Sequence, residues 1–200
     1  MKLPKSAHTS RPWLIHELTT DFEVEDVWAL STPGGPDDLP RLVSQVVTGD
    51  FPEGAPLVVR ALWEARWKIG GVLGWDRPSA GLGSRVTSLK DRLPRALRDE
   101  PSGPDLNDFP FTSLYLLEDE WAAEMANGTV HTVMHIGWVP DGSGGHHGQM
   151  AVLVKPNGLF GAAYMAAIKP FRYALVYPAL MRTIENTWRA GTAGPPPLRA

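Results

Sequence analysis

Histidines and carboxylates within a β-prone stretch are the first groups here that could do chemistry. His131 and His135 stand four apart, and Glu124 lies across an Asn127-Gly128 turn from them. Two imidazoles and a carboxylate are a donor set that zinc accepts. On a strand each residue rises about 3.3 Å, so side chains four apart are roughly 13 Å apart and reach one ion only across a bulge. The competing reading is a surface Glu–His pair across two strands, and no metal is expected. His146-His147 sits among Gly142, Gly144 and Gly145, either a metal-binding pair or a solvated loop. Glu118, Asp119 and Glu120 form an acidic run that could divide acid and base duties or simply be a solvated corner. Lys169 and Arg172 stand where a helix begins. They could complete a carboxylate or phosphate pocket there, or act as surface charge or pair with the acidic corner.

Composition narrows the field. The 200 residues carry a net charge of -3 with both signs mixed along the chain, which is not the basic stripe of a nucleic-acid surface. There is no cysteine, so disulfides, thiolate nucleophiles and Cys-ligated metals are excluded. Residues 1–18 hold no apolar run of signal-peptide length, and no stretch of about twenty apolar residues occurs. A cytoplasmic protein without a membrane span is expected. Neither a GxGxxG ahead of a helix, a phosphate-binding loop, a GxSxG elbow nor an HExxH appears, so no cofactor is expected. Eight tryptophans are many for this length, and large aromatics mark either a core or a ligand-lined cavity.

The elements that must position these groups follow from periodicity. Residues 1–20 read as an irregular segment. Asp21 to Leu30 is a broken alternation, read as a first strand. Leu39, Leu42, Val43, Val46 and Val47 give a short helix, and Pro56 to Val72 a second one that carries Trp63 and Trp67. Residues 74–110 form a loop-rich insertion with a possible strand at Arg85 to Leu89 and a short helix at Leu93 to Arg98. Strands follow at Thr112 to Leu117, Trp121 to Ala126, Thr129 to Val139 and Gln149 to Lys155. Asn127-Gly128 makes one hairpin, and Asn157-Gly158 reads as a second, returning as a strand at Leu159 to Ile168. Pro170 starts a final amphipathic helix that runs to about Arg189. The expectation is one domain over 21–190 and a disordered tail over 191–200.

A two-residue turn at Asn127-Gly128 pairs Met125 with Val130 and Glu124 with His131. Side chains alternate along a strand, so Trp121, Ala123, Met125, Val130, Thr132, Met134, Ile136 and Trp138 share one buried face. Ala122, Glu124, His131, Val133, His135 and Gly137 share the other, expected to be half-solvated.

The segments AEMANGTVHTVMHIGWVP, VLVKPNGLFGAAYMAAIKPF and YPALMRTIENTW, best matched from Leu114 to Arg189, resemble a bacterial family of unknown function, DUF2867. The element order resembles the helix-grip fold of START-like and polyketide-cyclase (SRPBCC) proteins. That resemblance implies an α+β fold, with a curved antiparallel sheet of six or seven strands wrapped around a long C-terminal helix. Two shorter helices follow the first strand. It also implies a cavity between sheet and helix. The ligand expected there is an apolar small molecule, aromatic or polyketide-like, with room for cyclase- or lyase-like acid/base catalysis. Tyr164, Lys169 and Tyr173 are the candidate catalytic groups, and Trp121, Thr132, Met134, Trp138 and Tyr177 the candidate ligand-binding ones. The alternative is a non-catalytic interaction module that uses Trp63, Trp67 and the 74–110 segment. Tryptophans that line a cavity favour the first and solvent-facing ones the second.

Overall fold

A computed structural model of the chain describes residues 1–49, 56–74, 81–83, 86–106 and 110–192. The described elements are β1 (Lys2–Leu3), α1 (Ser6–Thr9), α2 (Leu14–Leu18), β2 (Glu23–Ala29), α3 (Leu39–Val47) and α4 (Leu57–Leu73). A 3-10 turn (Leu89–Arg92) and α5 (Arg95–Arg98) follow. Then come β3 (Thr112–Leu116), β4 (Glu120–Ala126), β5 (Val130–Pro140), β6 (His146–Pro156), α6 (Gly158–Phe171), a π-helical turn (Arg172–Val176) and α7 (Tyr177–Thr192). The fold is α+β. One open six-stranded sheet runs β1-β2-β6-β5-β4-β3, with every pairing antiparallel. No helix among the described residues is long and apolar enough to cross a membrane.

The hairpin at Asn127-Gly128 forms, but with a longer loop than a two-residue turn. Ala126 pairs with His131, Met125 with Thr132 and Ala123 with Met134. Asn127 Oδ1 accepts from the Thr129 and Val130 amides and from the Thr129 hydroxyl, so the side chain itself closes the turn. The register therefore slips by two residues from the expected one. A slip of two preserves the faces. Trp121, Ala123, Ile136 and Trp138 do share a buried face, in one cluster with Met150, Tyr177, Ile184 and Trp188. α3 packs there through Leu39, Leu42, Val43 and Val47. The Trp138 and Trp188 rings are 6.0 Å apart, so the final helix reaches the sheet as its apolar stripe requires.

Two β-bulges re-aim single residues. On β2 the register shifts between Val24 and Asp26, leaving Glu25 as the extra residue. Asp26 and Trp28 then lie with Val152 and Met150 on the helix-covered face, while Val24 and Val27 lie with Leu153 and Ala151 on the other. Strict alternation would have put Asp26 beside Val24. On β3 a shift between Ser113 and Tyr115 turns Tyr115 toward the outer face, opposite Ala122.

That outer face is not half-solvated. Glu124, His135, Ala122 and Val133 are fully buried, and His131 nearly so. Residues 1–20 cover it, which corrects their reading as irregular. β1 adds an edge strand to β2, and Trp13, Ile15 and Leu18 join the second core cluster with Val27, Val133 and Leu153. Gly137 makes room for Trp13, since a Cβ there would stand 2.6 Å from the indole. Part of the 74–110 segment completes the cover with Leu89 and Leu93. The strand expected at Arg85 to Leu89 does not form among its described residues, where Leu89 instead opens the 3-10 turn.

The second expected hairpin is also corrected. Asn157-Gly158 starts a helix, and 159–168 is helical rather than extended. Gly158 takes a left-handed φ of 67°, and Ala162, Ala163, Ala166 and Ala167 are the strongest helix formers. Helix then continues through Pro170 to residue 192, past the expected end. Residues 193–200 of the expected tail lie outside the described residues. Pro170 and Pro178 flank the π turn. Pro178 has no N–H for the Ala174 carbonyl, and the wider turn is closed instead by the Tyr177 amide donating to the Arg172 carbonyl.

Gly161 is the buried residue of α6, where a Cβ would meet the Thr129 carbonyl oxygen at 2.1 Å. Gly161→Ala is expected to lift the helix from the β4–β5 turn and destabilise by about 1–3 kcal/mol. Gly71→Ala in α4, where a Cβ meets nothing within 4 Å, is expected to stabilise by roughly 0.4–1 kcal/mol. Urea midpoints of the two variants should move in opposite directions.

Candidate functional site

Four side chains from three parts of the chain meet between the sheet and the final helix. The β2 bulge presents Asp26, which is almost fully buried. Tyr177, at the start of α7, donates its hydroxyl to Asp26 Oδ2 at 2.7 Å, and the Tyr173 hydroxyl donates to Oδ1. Arg172 donates from Nη2 to Asp26 Oδ2 at 3.1 Å and also meets the Tyr177 hydroxyl. The π turn, with the first residue of α7, thus aims Arg172, Tyr173 and Tyr177 at a single carboxylate. Burial pushes the Tyr177 phenol far above its usual range. The Asp26 carboxylate adds to the rise, and the Arg172 charge only partly offsets it. Tyr177 is therefore a fixed donor, and a base would have to be sought elsewhere.

Aromatic walls surround the carboxylate. The Trp28 ring lies 4.8 Å from Tyr177 and 6.2 Å from Tyr173. Lys2 Nζ sits 3.9 Å from the Tyr173 ring centroid, a cation–π distance. The Trp28 indole N–H is buried without a hydrogen-bond partner among the described residues. Met134, Leu180 and Met181 pack against the same cluster while only partly buried.

The candidate residues read from the sequence divide. Tyr173 and Tyr177 converge on Asp26. Met134 lies on the same sheet face. Thr132 is buried and donates to the Leu153 carbonyl at 3.0 Å. Trp121 is a core residue whose Nε1 donates to Ser113 Oγ at 2.9 Å. Trp138 donates to the Gly35 carbonyl at 2.9 Å and stacks on His146. Trp138 also borders an open cleft of about 410 Å3 with Asp37, Glu118, Asp119 and His146, four residues along β5 from Met134, which shares the Asp26 row through Val152. Lys169 is exposed and pairs with Glu25 at 3.0 Å. Tyr164 is half-buried on α6, nine residues and so roughly 13 Å along the axis from Tyr173. The expected catalytic trio therefore does not converge. The side chains of Trp63 and Trp67 lie outside the described residues. Lys169 and Arg172 face consecutive β2 carboxylates, Glu25 and Asp26, instead of the acidic corner.

A second polar array lies on the opposite face of the sheet. His135 Nε2 is 2.9 Å from Glu120 Oε2, His8 Nε2 is 3.1 Å from His135 Nδ1, and His16 Nε2 is 3.1 Å from His8 Nδ1. Tyr115 donates to Glu120 Oε2 at 2.9 Å and the Leu14 amide to Oε1 at 2.8 Å. Burial alone would raise the Glu120 carboxyl, but the bonds from His135, Leu14 and Tyr115 outweigh it and hold the group below its usual value. An ionised carboxylate only accepts. His135 thus carries its proton on Nε2, its Nδ1 accepts from His8 Nε2–H, and His8 Nδ1 accepts from His16 Nε2–H. Burial drives the His8 pKa down to about 3, helped by His135 and His16. His16 is lowered too, again chiefly by burial.

Glu120 is thus no solvated corner, unlike the exposed Glu118 and Asp119. The expected surface pair of Glu124 and His131 is a buried one at 2.8 Å, and Glu124 also accepts from Ser88 Oγ and the Leu89 amide. His131 and His135 therefore go to different carboxylates. No group of three or more ligand-type side chains with metal-holding geometry occurs among the described residues.

A family model described as a protein of unknown function (DUF2867) matches residues 18–179. No curated protein and no solved structure matches the chain.

Proposed function

We propose that this chain, which belongs to the DUF2867 family, binds an apolar aromatic small molecule between the sheet and the final helix, with Asp26, Arg172, Tyr173 and Tyr177 as the polar end of the site. The observation that carries this reading is a buried carboxylate gathering two phenols and a guanidinium beside an indole N–H that has no partner among the described residues. A few convergent polar groups set in an aromatic surround are the usual make-up of a small-molecule site. A ligand oxygen near Trp28 would give that N–H an acceptor. Where a proton moves, the Tyr173–Asp26 pair is the set able to move it, because Tyr177 stays protonated. With this goes a helix-grip, START-like assignment of the fold. What supports that assignment is the antiparallel sheet, the long C-terminal helix on one face, and α3 and α4 after β2.

The test is a panel of aromatic ketones and phenols read by tryptophan fluorescence and thermal melting. A ligand at a hundred times its Kd stabilises by about 2.7 kcal/mol, which for this chain length raises Tm by roughly 5–10 °C. Tyr173→Phe should keep the fold and weaken binding about tenfold or more. A panel without a single stabilising member, or equal affinity in Tyr173→Phe, would sink the reading.

The interaction module remains a second reading, favoured by one observation. Leu159, Phe160 and Phe171 on α6 are 91%, 57% and 53% exposed, an apolar surface of the kind that marks a partner contact.

A further inference from the structure

We propose that His16, His8 and His135, ending on Glu120, form a proton-operated clasp that holds residues 1–20 on the outer face of the sheet and releases them as the imidazoles become charged. The chain of rings joins parts of the sequence that are otherwise far apart. His8 and His16 belong to the covering segment, and His135 and Glu120 to β5 and β4. Both segment histidines lie outside the family match, whereas His135 and Glu120 lie within it.

Counting hydrogens shows why protons open it. With three neutral rings, every nitrogen facing another has one donor and one acceptor. The remaining bare nitrogen is His16 Nδ1, at the half-exposed end. A first added proton enters there without breaking a bond, and the Arg11 backbone favours that charged form. It can then step ring to ring toward Glu120. A second added proton finds no bare ring nitrogen. It must set two N–H groups face to face or neutralise Glu120, and either breaks a link. The other titratable and charged groups around the chain are Arg11, over the Trp13 ring, Tyr115, donating to Glu120, and Asp119, close to Tyr115. Burial pushes the Tyr115 phenol well above its usual value, so it does not titrate in the range concerned.

The sign follows from the direction of the shifts. His8 and His16 bind protons less readily in the closed state than in an open chain. Closure is therefore fully favoured above the open-chain value of about 6.5 and is lost as pH falls below it toward the closed-state value of His8, about 3. Each proton taken up on opening raises the opening constant by up to about tenfold per pH unit in that window.

Hydrogen exchange of the whole chain, corrected for intrinsic rates, would follow residues 6–19 from pH 7.5 to 4.5, with β5 and β6 as internal reference. The expected result is a loss of protection over 6–19 of at least tenfold between pH 7.5 and 5.5, with β5 and β6 unchanged. His8→Gln can still accept and donate within the chain but does not titrate. It should flatten the response by about tenfold. His16→Gln, at the half-exposed end where the fold is least at risk, should remove one proton from the pH slope. Nitrogen-15 spectra of the histidines should show His8 neutral in the closed state at pH 5.5. The proposal is overturned if protection over 6–19 does not change with pH, if it falls as steeply in both glutamine variants as in the parent, or if β5 and β6 lose protection in parallel.

Discussion

Asp26→Ala is expected to lower the free energy of unfolding by about 3–5 kcal/mol, the range seen when one partner of a buried ion pair is removed. Arg172, whose side chain is 16% exposed, would be left without its carboxylate, and the Tyr173 and Tyr177 hydroxyls would lose their acceptor. Asp26→Asn keeps an acceptor and is expected to cost about 1–3 kcal/mol. Combining Asp26→Leu with Arg172→Met removes both charges, and buried pairs often exchange for apolar groups at little cost. The double variant should therefore be more stable than Asp26→Ala. Urea denaturation of the three variants and the parent at pH 7 gives the comparison. A loss below 1 kcal/mol in Asp26→Ala would mean that the carboxylate does not tie β2 to the final helix.

Glu120→Ala is the other change expected to be severe. It strands three buried donors at once: the Leu14 amide, the Tyr115 hydroxyl and the His135 ring. At roughly 1–3 kcal/mol for each unsatisfied group, a loss of at least about 3 kcal/mol is expected. The acid limb should change as well. The Glu120 carboxyl is held below its ordinary value by its donors, so its stabilisation is fully present above that ordinary value and fades as pH falls through the folded-state one. Glu120→Ala should lack that component of the acid-induced loss. Glu120→Gln should be milder, because its amide nitrogen donates where the carboxylate accepted. His135 would then have to accept on Nε2 and donate from Nδ1, reversing every bond in the ring chain. Nitrogen-15 shifts of His135 and His8 would show that exchange of tautomers. An unreversed chain with unchanged stability would contradict the assignment of Glu120 as its acceptor.

The sheet and one of its faces were legible in the sequence for a physical reason. Trp121, Ala123, Ile136 and Trp138 come out on the helix-covered face even though the hairpin register is two residues off, since side chains repeat every two residues along a strand. The apolar stripe of the last helix likewise pointed to its contact with the sheet, and Tyr173 and Tyr177 stood out as polar-tipped rings beside that stripe. The outer face was not legible. Glu124, His131 and His135 carry polar groups, which read as solvated. What buries them is residues 1–20, whose short helices have too little periodicity to announce a cover, together with Phe22 beside His131 and the Ser88-Leu89 stretch over Glu124. Asp26 was hidden by the bulge at Glu25, which inverts its side relative to Val24. The strand expected over 159–168 failed because an Asn-Gly pair serves a helix start as well as a hairpin, and the four alanines that follow decide between them.

The π turn over 172–176 has a mechanical meaning. α6 is indexed by the close approach of Gly161 to Thr129, and α7 by Trp188 against Trp138. Each contact fixes the rotation of its own half of the rod, and the wide turn takes up the mismatch in angle. An α-helix advances about 100° per residue. A π turn spends one more residue than an α turn on about the same rotation, so removing one residue here would restore a regular helix and leave α7 near its present angle. Removing one residue from the regular helix between Gly161 and the turn would instead swing everything after it by about 100°, carrying Tyr177 off Asp26 and Trp188 off the sheet. The turn is thus the slack in the rod, the one stretch between those two contacts where a residue can be lost while both halves stay engaged with the sheet.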